Sequence, residues 1–476
     1  MEDLYRLFLA HPSICTDSRK VQPGDLFVAL QGENFDGNDY AERAIKAGAA
    51  YAMVDGVSWD SGLGSFIMRP FIKVGNVLRT LQKLARHHRE VLGVPVVGLT
   101  GTNGKTTTKE LVAAVLGARY RVCATEGNLN NHIGVPLTLL RMDKGTEVAV
   151  VEMGANHPGE IAQLAAIVEP DYGLVTNVGK AHLEGFGSLE GVMETKGALY
   201  EAAKVLFVNA DNSLLCGMAA LRGGGKERHL YGLRHQKASV LPVEAAHPFL
   251  RLNVPGYPLI ETQLVGAYNA DNVLAALAVG ARFGVDAVLA AEAVMGYKPS
   301  NNRSQWMQTD KNVLVVDAYN ANPTSMAAAL DSFEGLQAGH KVLILGDMLE
   351  LGDDSEREHE VVVERSFRLR SMTGGVSHSM TGRVSRSLSG VEASGGRERG
   401  VGAKGVGERG GEMSGVGEVF LVGPRLRAVA QNDSFCTCFE DVNALRNYLL
   451  AHPLIGATIL IKGSRGMRLE QVLDVL

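Results

Sequence analysis

At 476 residues, and with roughly 100 to 200 residues per domain, the chain is predicted to form about three compact units, each burying its own core. Hydrophobic residues make up 46% and charged residues 21%, the balance of a soluble globular protein, which excludes wholesale disorder. A net charge of -5 provides no overall positive field for nucleic acid or an anionic membrane, so any anion must be held locally.

The N-terminal MEDLYRLFLAHPSICTDSR carries acidic residues and lacks a basic segment followed by an apolar one, so no signal peptide is expected. No stretch is long and apolar enough for membrane insertion, and a cytoplasmic protein follows as the default. Cys15, Cys123, Cys216, Cys436 and Cys438 are too scattered for a disulfide scaffold, and the Cys436–Cys438 pair reads as buried thiols. The run DLFVAL (Asp25–Leu30) reads as a buried strand, AERAIKAGA as a helix and AYAMVD as a second strand. A helix, LRTLQKLARHHREVL, then leads through Gly93 and Pro95 into VPVVGLTG. The boundary near Val91 makes residues 1–91 a small α/β domain.

Over residues 92–305, strands and helices alternate: VPVVGLT, KELVAAVLGARY, EVAVVEMG, GEIAQLAAIV, YGLVTNV and KVLFVNA. This predicts a mostly parallel sheet covered by helices, in which ligands sit at the carboxyl ends of the strands. The unusual polar residues fall at those ends: Thr100 to Thr107, Glu152 and Asn156, and Asn177 through His182. Residues 306–476 repeat the pattern in NVLVVDAYNANP, HKVLILGDM, a helix around Glu358 to Glu364, EVFLVG and ATILIKGSRG, predicting a doubly wound, Rossmann-like C-terminal domain. Within it, residues 366–417 run through GGRERGVGAKGVGERGGEMSGVG, with almost nothing apolar to bury, and read as a disordered surface insertion. An arginine-rich RNA-binding segment is the alternative. Glutamates interrupt the arginines and no aromatic ring is interleaved beyond Phe367, which argues against it.

The central signal is LTGTNGKTTTKELVAAVL, a buried strand entering a glycine turn and then a helix opening at Lys105. Gly101 and Gly104 let successive N–H groups converge on one anion, and the helix dipole adds to the attraction. Lys105 supplies charge for the outer phosphates, and Thr106 presents a hydroxyl suited to magnesium. The strict phosphate-loop pattern asks for glycine where this chain has Leu99, so the match is to a G-T-x-G-K-T-T variant, with an accidental glycine turn as the bland reading. Glu152 and His182, at two strand ends beside this loop, are ligand types suited to a divalent ion; alone, each has an ordinary structural reading. Lys196 alone reads as one solvated helix lysine among many.

In chain order, GTNGKTT, GNLNNHIGVPLTLLR, VEMGANHPGEI, TNVGKAHLEGFGSLEGVMETKGALY, NRSQ, DAYNANPTSM and LGDMLELG resemble the Mur ligase family, specifically its D-alanyl-D-alanine-adding branch. The resemblance covers nearly the whole chain apart from residues 366–417. It implies an ATP-dependent ligase of peptidoglycan precursor synthesis, acting as a monomer on UDP-N-acetylmuramoyl-tripeptide and D-alanyl-D-alanine through an acyl phosphate. Gly101, Thr102, Asn103, Gly104, Lys105, Thr106 and Thr107 would form the nucleotide loop. Two magnesium ions are implied, with Thr106 and Glu152 on one and His182 on the second. Lys196 would carry a carbamate, which turns a cation into an acid-like metal ligand and requires a desolvated amine. Lys105, Glu152, His182 and Lys196 are then the catalytic set.

The resemblance further implies that Asn269 and Asn272 lie near the base, with helix capping as their bland reading. Arg303 would touch the ATP phosphates and Asp317 the ribose. Tyr268 stands where many relatives have histidine, and Asn38 replaces the usual histidine after DG. Substrate contacts fall on Ser18 and Arg19, which also read as turn residues, on Asn130 and Asn131, and on Asn320, Asn322 and Ser325 at the dipeptide end. KGSRG at Lys462 to Gly466 is equally readable as solvated charge. The rival readings are another superfamily member, such as the ligase adding the third amino acid or a folylpolyglutamate synthase, and a nucleotide-dependent binding protein without chemistry.

Overall fold

Aliphatic runs separated by amphipathic helices become the three largest of five sheets among the described residues. The computed structural model describes residues 1–55, 67–68, 70–244, 247–300, 302–371, 415–430 and 434–476. Among these, no helix is long and apolar enough to cross a membrane. In the first sheet, strands Ile14–Cys15, Leu26–Val28, Tyr51–Val54 and Phe71–Lys73 run parallel, and Ile67–Met68 pairs antiparallel at the edge. Helix Val77–Leu92 closes this unit. Asn76 starts the helix by accepting from the Arg79 amide at 2.8 Å, and Gly93, at φ 62°, ends it in the left-handed conformation. Its buried Arg89 donates to the carbonyl of Val168 at 3.0 Å and to Asp171 at 2.7 Å, fastening the helix to the central unit.

The central sheet is parallel throughout its six described strands, in the order Glu227–Tyr231, Val205–Asn209, Tyr172–Val175, Val96–Thr100, Val148–Glu152, Val122–Ala124. Alternate residues feed opposite cores. Val97 and Leu99 pack with Leu111 and Val115 of helix Lys105–Gly117 and with helix Ala270–Arg282; Val96 faces Ile161, Leu164 and Leu199. Each such side chain contributes roughly 1.5–3 kcal/mol through burial. In this order Val96–Thr100 lies between Val148–Glu152 and Tyr172–Val175, so the carboxyl ends carrying Lys105, Glu152 and His182 are neighbours. A separate antiparallel sheet of Ser239–Val240, Arg251–Asn253 and Ile260–Glu261 was not predicted, because strands of two or three residues leave too little alternation to read.

In the third sheet, Val313–Asp317, Thr458–Lys462, Lys341–Gly346, Val416–Val422 and Thr437–Phe439 run parallel, with Gln305–Gln308 antiparallel at the edge. The predicted insertion at 366–417 is too wide at both ends. Helix Ser355–Ser371 continues because Val362, Val363 and Leu369 keep an apolar face against this sheet, and the next strand begins at Val416. The rest of that expectation, residues 372–414, lies outside the described residues.

Buried Asn312 ties the edges of this domain together. Its amide donates to the carbonyls of Leu454 at 2.9 Å and Leu476 at 2.6 Å, and its oxygen accepts from the Ala457 amide at 3.0 Å. Asn312→Ala leaves these partners unpaired and is expected to lower the unfolding free energy by about 3 kcal/mol in denaturant titration, with kcat per folded molecule unchanged.

Candidate active site

A cavity of about 510 Å³ opens at the carboxyl ends of the central strands, roofed by the C-terminal domain. Its wall contains Thr102, Asn103, Gly104, Lys105, Thr106 and Thr107 of the glycine turn and Asn130, Asn131, Glu152 and His182 of the neighbouring ends. It also contains Asn269, Asn272 and Arg303, together with Asp317, Asn320, Asn322 and Ser325 from the third unit. Four predicted residues stand outside this wall: Gly101, Lys196, Ser18 and Arg19.

The turn is held in shape by its glycines. At Gly101 (φ 151°) a β-carbon would lie 1.9 Å from the Thr176 hydroxyl, and at Gly104 (φ 75°) 2.6 Å from the Asn272 side-chain oxygen. The Lys105 ammonium folds back onto the Gly101 and Thr102 carbonyls, at 2.8 and 3.1 Å. Burial pushes its pKa down, Glu152 opposes this, and Arg303 adds to it. The Asn103 amide donates to Asn177 at 2.9 Å, and its carbonyl accepts from Thr176 at 2.7 Å.

Glu152 is 1% exposed; Oε1 accepts from Asn130 at 2.8 Å, and Oε2 has no hydrogen-bond partner among the described residues. Asn131 accepts from the amides of Ile133 and Gly134 in the turn leading into helix Gly134–Leu140. His182 precedes the short helix Leu183–Phe186 at φ 51°, with Nδ1 paired to the Glu350 carboxylate. Burial lowers its pKa, and Glu350 opposes that shift. Lys196 lies behind the wall on helix Leu189–Ala202, 2% exposed, its amine 5.7 Å from the centre of the Phe186 ring. Burial, and then the charge of Lys105, hold its pKa well below the ordinary lysine value, so the solvated-lysine reading does not stand.

On the roof, the Arg303 guanidinium lies 3.6 Å from the centre of the Tyr319 ring. Asp317 and Lys462 are register partners on adjacent strands, and their charges meet at 2.5 Å. Lys462 is 1% exposed, so it is not solvated charge, whereas Arg465 of the same loop is exposed. Asn322 and Ser325 form a reciprocal cap on helix Pro323–Gly335, and Asn320 accepts from the Ala321 amide at 2.9 Å. Asn322 also donates to Asn103 at 2.8 Å, linking roof to phosphate loop. Asn269 occupies the N-cap position of helix Ala270–Arg282 without a side-chain capping bond, and Asn272 lies within the helix. Asn272 donates to Asn269 at 2.8 Å, accepts from Thr108 at 3.0 Å, and both residues are buried at the cavity edge.

Ser18 and Arg19 lie in a turn of the first unit, where the exposed Arg19 forks onto Asp17 at 2.9 and 2.8 Å. Asn38 is buried and bonded to Asp36 at 2.7 Å and Asp55 at 2.9 Å. Sequence reasoning missed Tyr319, His157 and Gln163 in the wall. Tyr319 was within reach of it, lying two residues from Asp317 inside DAYNANP. Gly101→Ala is expected to cut affinity for a nucleoside triphosphate about 100-fold by calorimetry, since the whole turn must shift. Gly117→Ala, where nothing lies within 4 Å, is the control that retains affinity.

The sequence matches the Mur ligase family catalytic domain over residues 12–89, the Mur ligase middle domain over 99–280 and the Mur ligase glutamate ligase domain over 302–371. It is 39% identical over 355 residues to the UDP-N-acetylmuramoyl-tripeptide–D-alanyl-D-alanine ligase of Bacillus subtilis, covering 73% of this chain and 76% of that one. The ligase of the same name from Escherichia coli is 38% identical over 362 residues, covering 74% and 78%. Among solved structures, MurF from Acinetobacter baumannii superposes with a TM-score of 0.76 at 25% identity, covering 98% of this chain and 97% of the other. MurF from Thermotoga maritima in complex with ADP shares the fold, with a TM-score of 0.77 at 24% identity over 98% and 97%. With the three domains matched in order and these identities over most of its length, the chain belongs to the Mur ligase family, in the branch of the D-alanyl-D-alanine-adding ligases.

Proposed function

We propose that this ATP-dependent ligase joins D-alanyl-D-alanine to UDP-N-acetylmuramoyl-tripeptide in peptidoglycan precursor synthesis. The reading is carried by one observation: the phosphate loop and Glu152 share a single cavity with Arg303, Asp317 and Asn322 from the opposite domain. Residues 92–305 would take ATP, residues 306–476 the dipeptide, and residues 1–91 the UDP moiety near Ser18 and Arg19. The tripeptide carboxylate attacks the γ-phosphorus and releases ADP. The dipeptide amine then attacks the acyl carbon, loses a proton and displaces inorganic phosphate. Lys105, released from the carbonyls it now binds, faces the transferring phosphoryl group, and Arg303 opposes the charge from above. Asp317, fixed by Lys462, accepts from the ribose, and Asn269 and Asn272 border the base. Asn130 holds the Glu152 carboxylate in place, while Asn131, Asn320 and Ser325 shape the acceptor and donor ends.

The donor set fits magnesium. Among the described residues no three His, Cys, Asp or Glu side chains cluster as a metal cage, but Glu152 offers a buried, unpaired carboxylate oxygen in the same cavity wall as Thr106. His182 and a carbamate on Lys196 would hold a second ion; the desolvated Lys196 amine, with no ion pair to any described residue, is suited to that modification. When bound, the ions offset charge on the phosphates.

Purified protein is expected to release phosphate from ATP only when both UDP-N-acetylmuramoyl-tripeptide and D-alanyl-D-alanine are present; equal turnover with a single free amino acid refutes the substrate assignment. Lys196→Ala should lose activity by about 100-fold or more, with partial recovery in a short carboxylate such as acetate. Activity at the level of the unaltered protein would remove the carbamate from the scheme.

A further inference from the structure

The loop after strand Tyr172–Val175 touches two partners at once. On one side, the Gly179 amide donates to the Thr102 hydroxyl of the phosphate loop at 3.0 Å. On the other side it meets the C-terminal domain. Lys180 pairs with Glu358 at 2.6 Å, His182 pairs with Glu350, and the Glu184 amide donates to the Glu350 carbonyl at 3.4 Å. Glu358 lies on helix Ser355–Ser371 with its side chain only 9% exposed, so a carboxylate has been buried to meet a lysine from another domain. His182 and Glu350 face each other with both backbones in the left-handed region, at φ 51° and 63°. Non-glycine residues keep that conformation only where their surroundings impose it, and here each is the other's surroundings.

We propose that Glu350 and Glu358 form a two-point latch: by seizing His182 and Lys180 when the C-terminal domain is closed, they orient the His182 imidazole and brace Thr102. Phosphate chemistry then depends on the dipeptide side being shut. Glu350 is a positioning residue: its carboxylate faces Nδ1, which fixes the ring and leaves Nε2 unengaged by Glu350. Glu358 sets how firmly the two domains stay together. The proposal rests on the reading that nucleotide and dipeptide occupy opposite sides of this cavity.

The test uses the full chain, with bio-orthogonal dyes replacing Leu221 and Ile455, exposed positions on the two domains, to report closure by energy transfer. Lys180→Glu and Glu358→Lys should each lower the closed population and raise KM for D-alanyl-D-alanine about threefold to tenfold, and the double exchange should return both to within about twofold. Losses that simply add in the double variant, or single variants that close normally, overturn the latch. Glu350→Gln should reduce kcat about tenfold with KM for ATP within about twofold and Tm unchanged, a split that mere loss of stability does not produce. Unchanged kcat overturns the positioning role. Closure is read without any substrate, so failure of the ligase assignment, seen as no turnover by the unaltered protein, leaves the latch result intact and distinguishable.

Discussion

Like charge gathered in a dry place is the constraint under which the rest of this molecule is arranged. Lys105 lies within electrostatic reach of both Lys196 and Arg303, with Glu152 the carboxylate that opposes the shift at Lys105. In water such repulsion would be slight; where solvent is thinned it is several times stronger. Lys462 is taken up by Asp317, so Lys105 and Arg303 are the cations of the wall left to meet a polyphosphate. The cations need a scaffold that does not yield. The parallel strands supply it, because Glu152 is the register partner of Leu99, and Val175 that of Thr100.

The two outer domains are attached to this scaffold by different mixtures of apolar and polar contact. Leu4, Phe8, Leu81 and Leu84 of the first unit belong to the same apolar core as Val96, Val135 and Leu139 of the second, and Arg89 adds ionic fastening. Sliding these units would expose hydrocarbon. Against the third unit, Val265 and Phe249 join the apolar core around Leu330 and Phe333, and polar pairs are added at the cavity: Asn103 with Asn322, Lys180 with Glu358, His182 with Glu350.

Much of this was legible in the residues. The phosphate loop could be read because its chemistry resides in backbone amides, and only glycine spacing and a following lysine are needed to predict it. Glu152 could be placed because an aliphatic run that ends in a carboxylate puts that carboxylate at a strand tip. The buried state of Lys196 could not be read from composition, since Phe186 and Lys105 reach it through folding. The Glu350 and Glu358 carboxylates escaped notice because their partners lie on other elements; Lys180 and Glu358 are 178 residues apart. The boundary at residue 366 was misjudged because an arginine- and serine-rich stretch conceals Leu369, which still presents an apolar side to the core.

Asn322 caps a helix and also donates to Asn103 across the domain boundary. For capping alone aspartate would serve equally well, since either side chain accepts from the third amide of the helix. A carboxylate, though, has no N–H to offer Asn103, and its negative charge would face the place where phosphate oxygens gather. Asparagine keeps the helix start neutral while supplying both a donor and an acceptor, so one amide group ends a helix, bridges two domains and leaves the positive end of the helix dipole open to an anion.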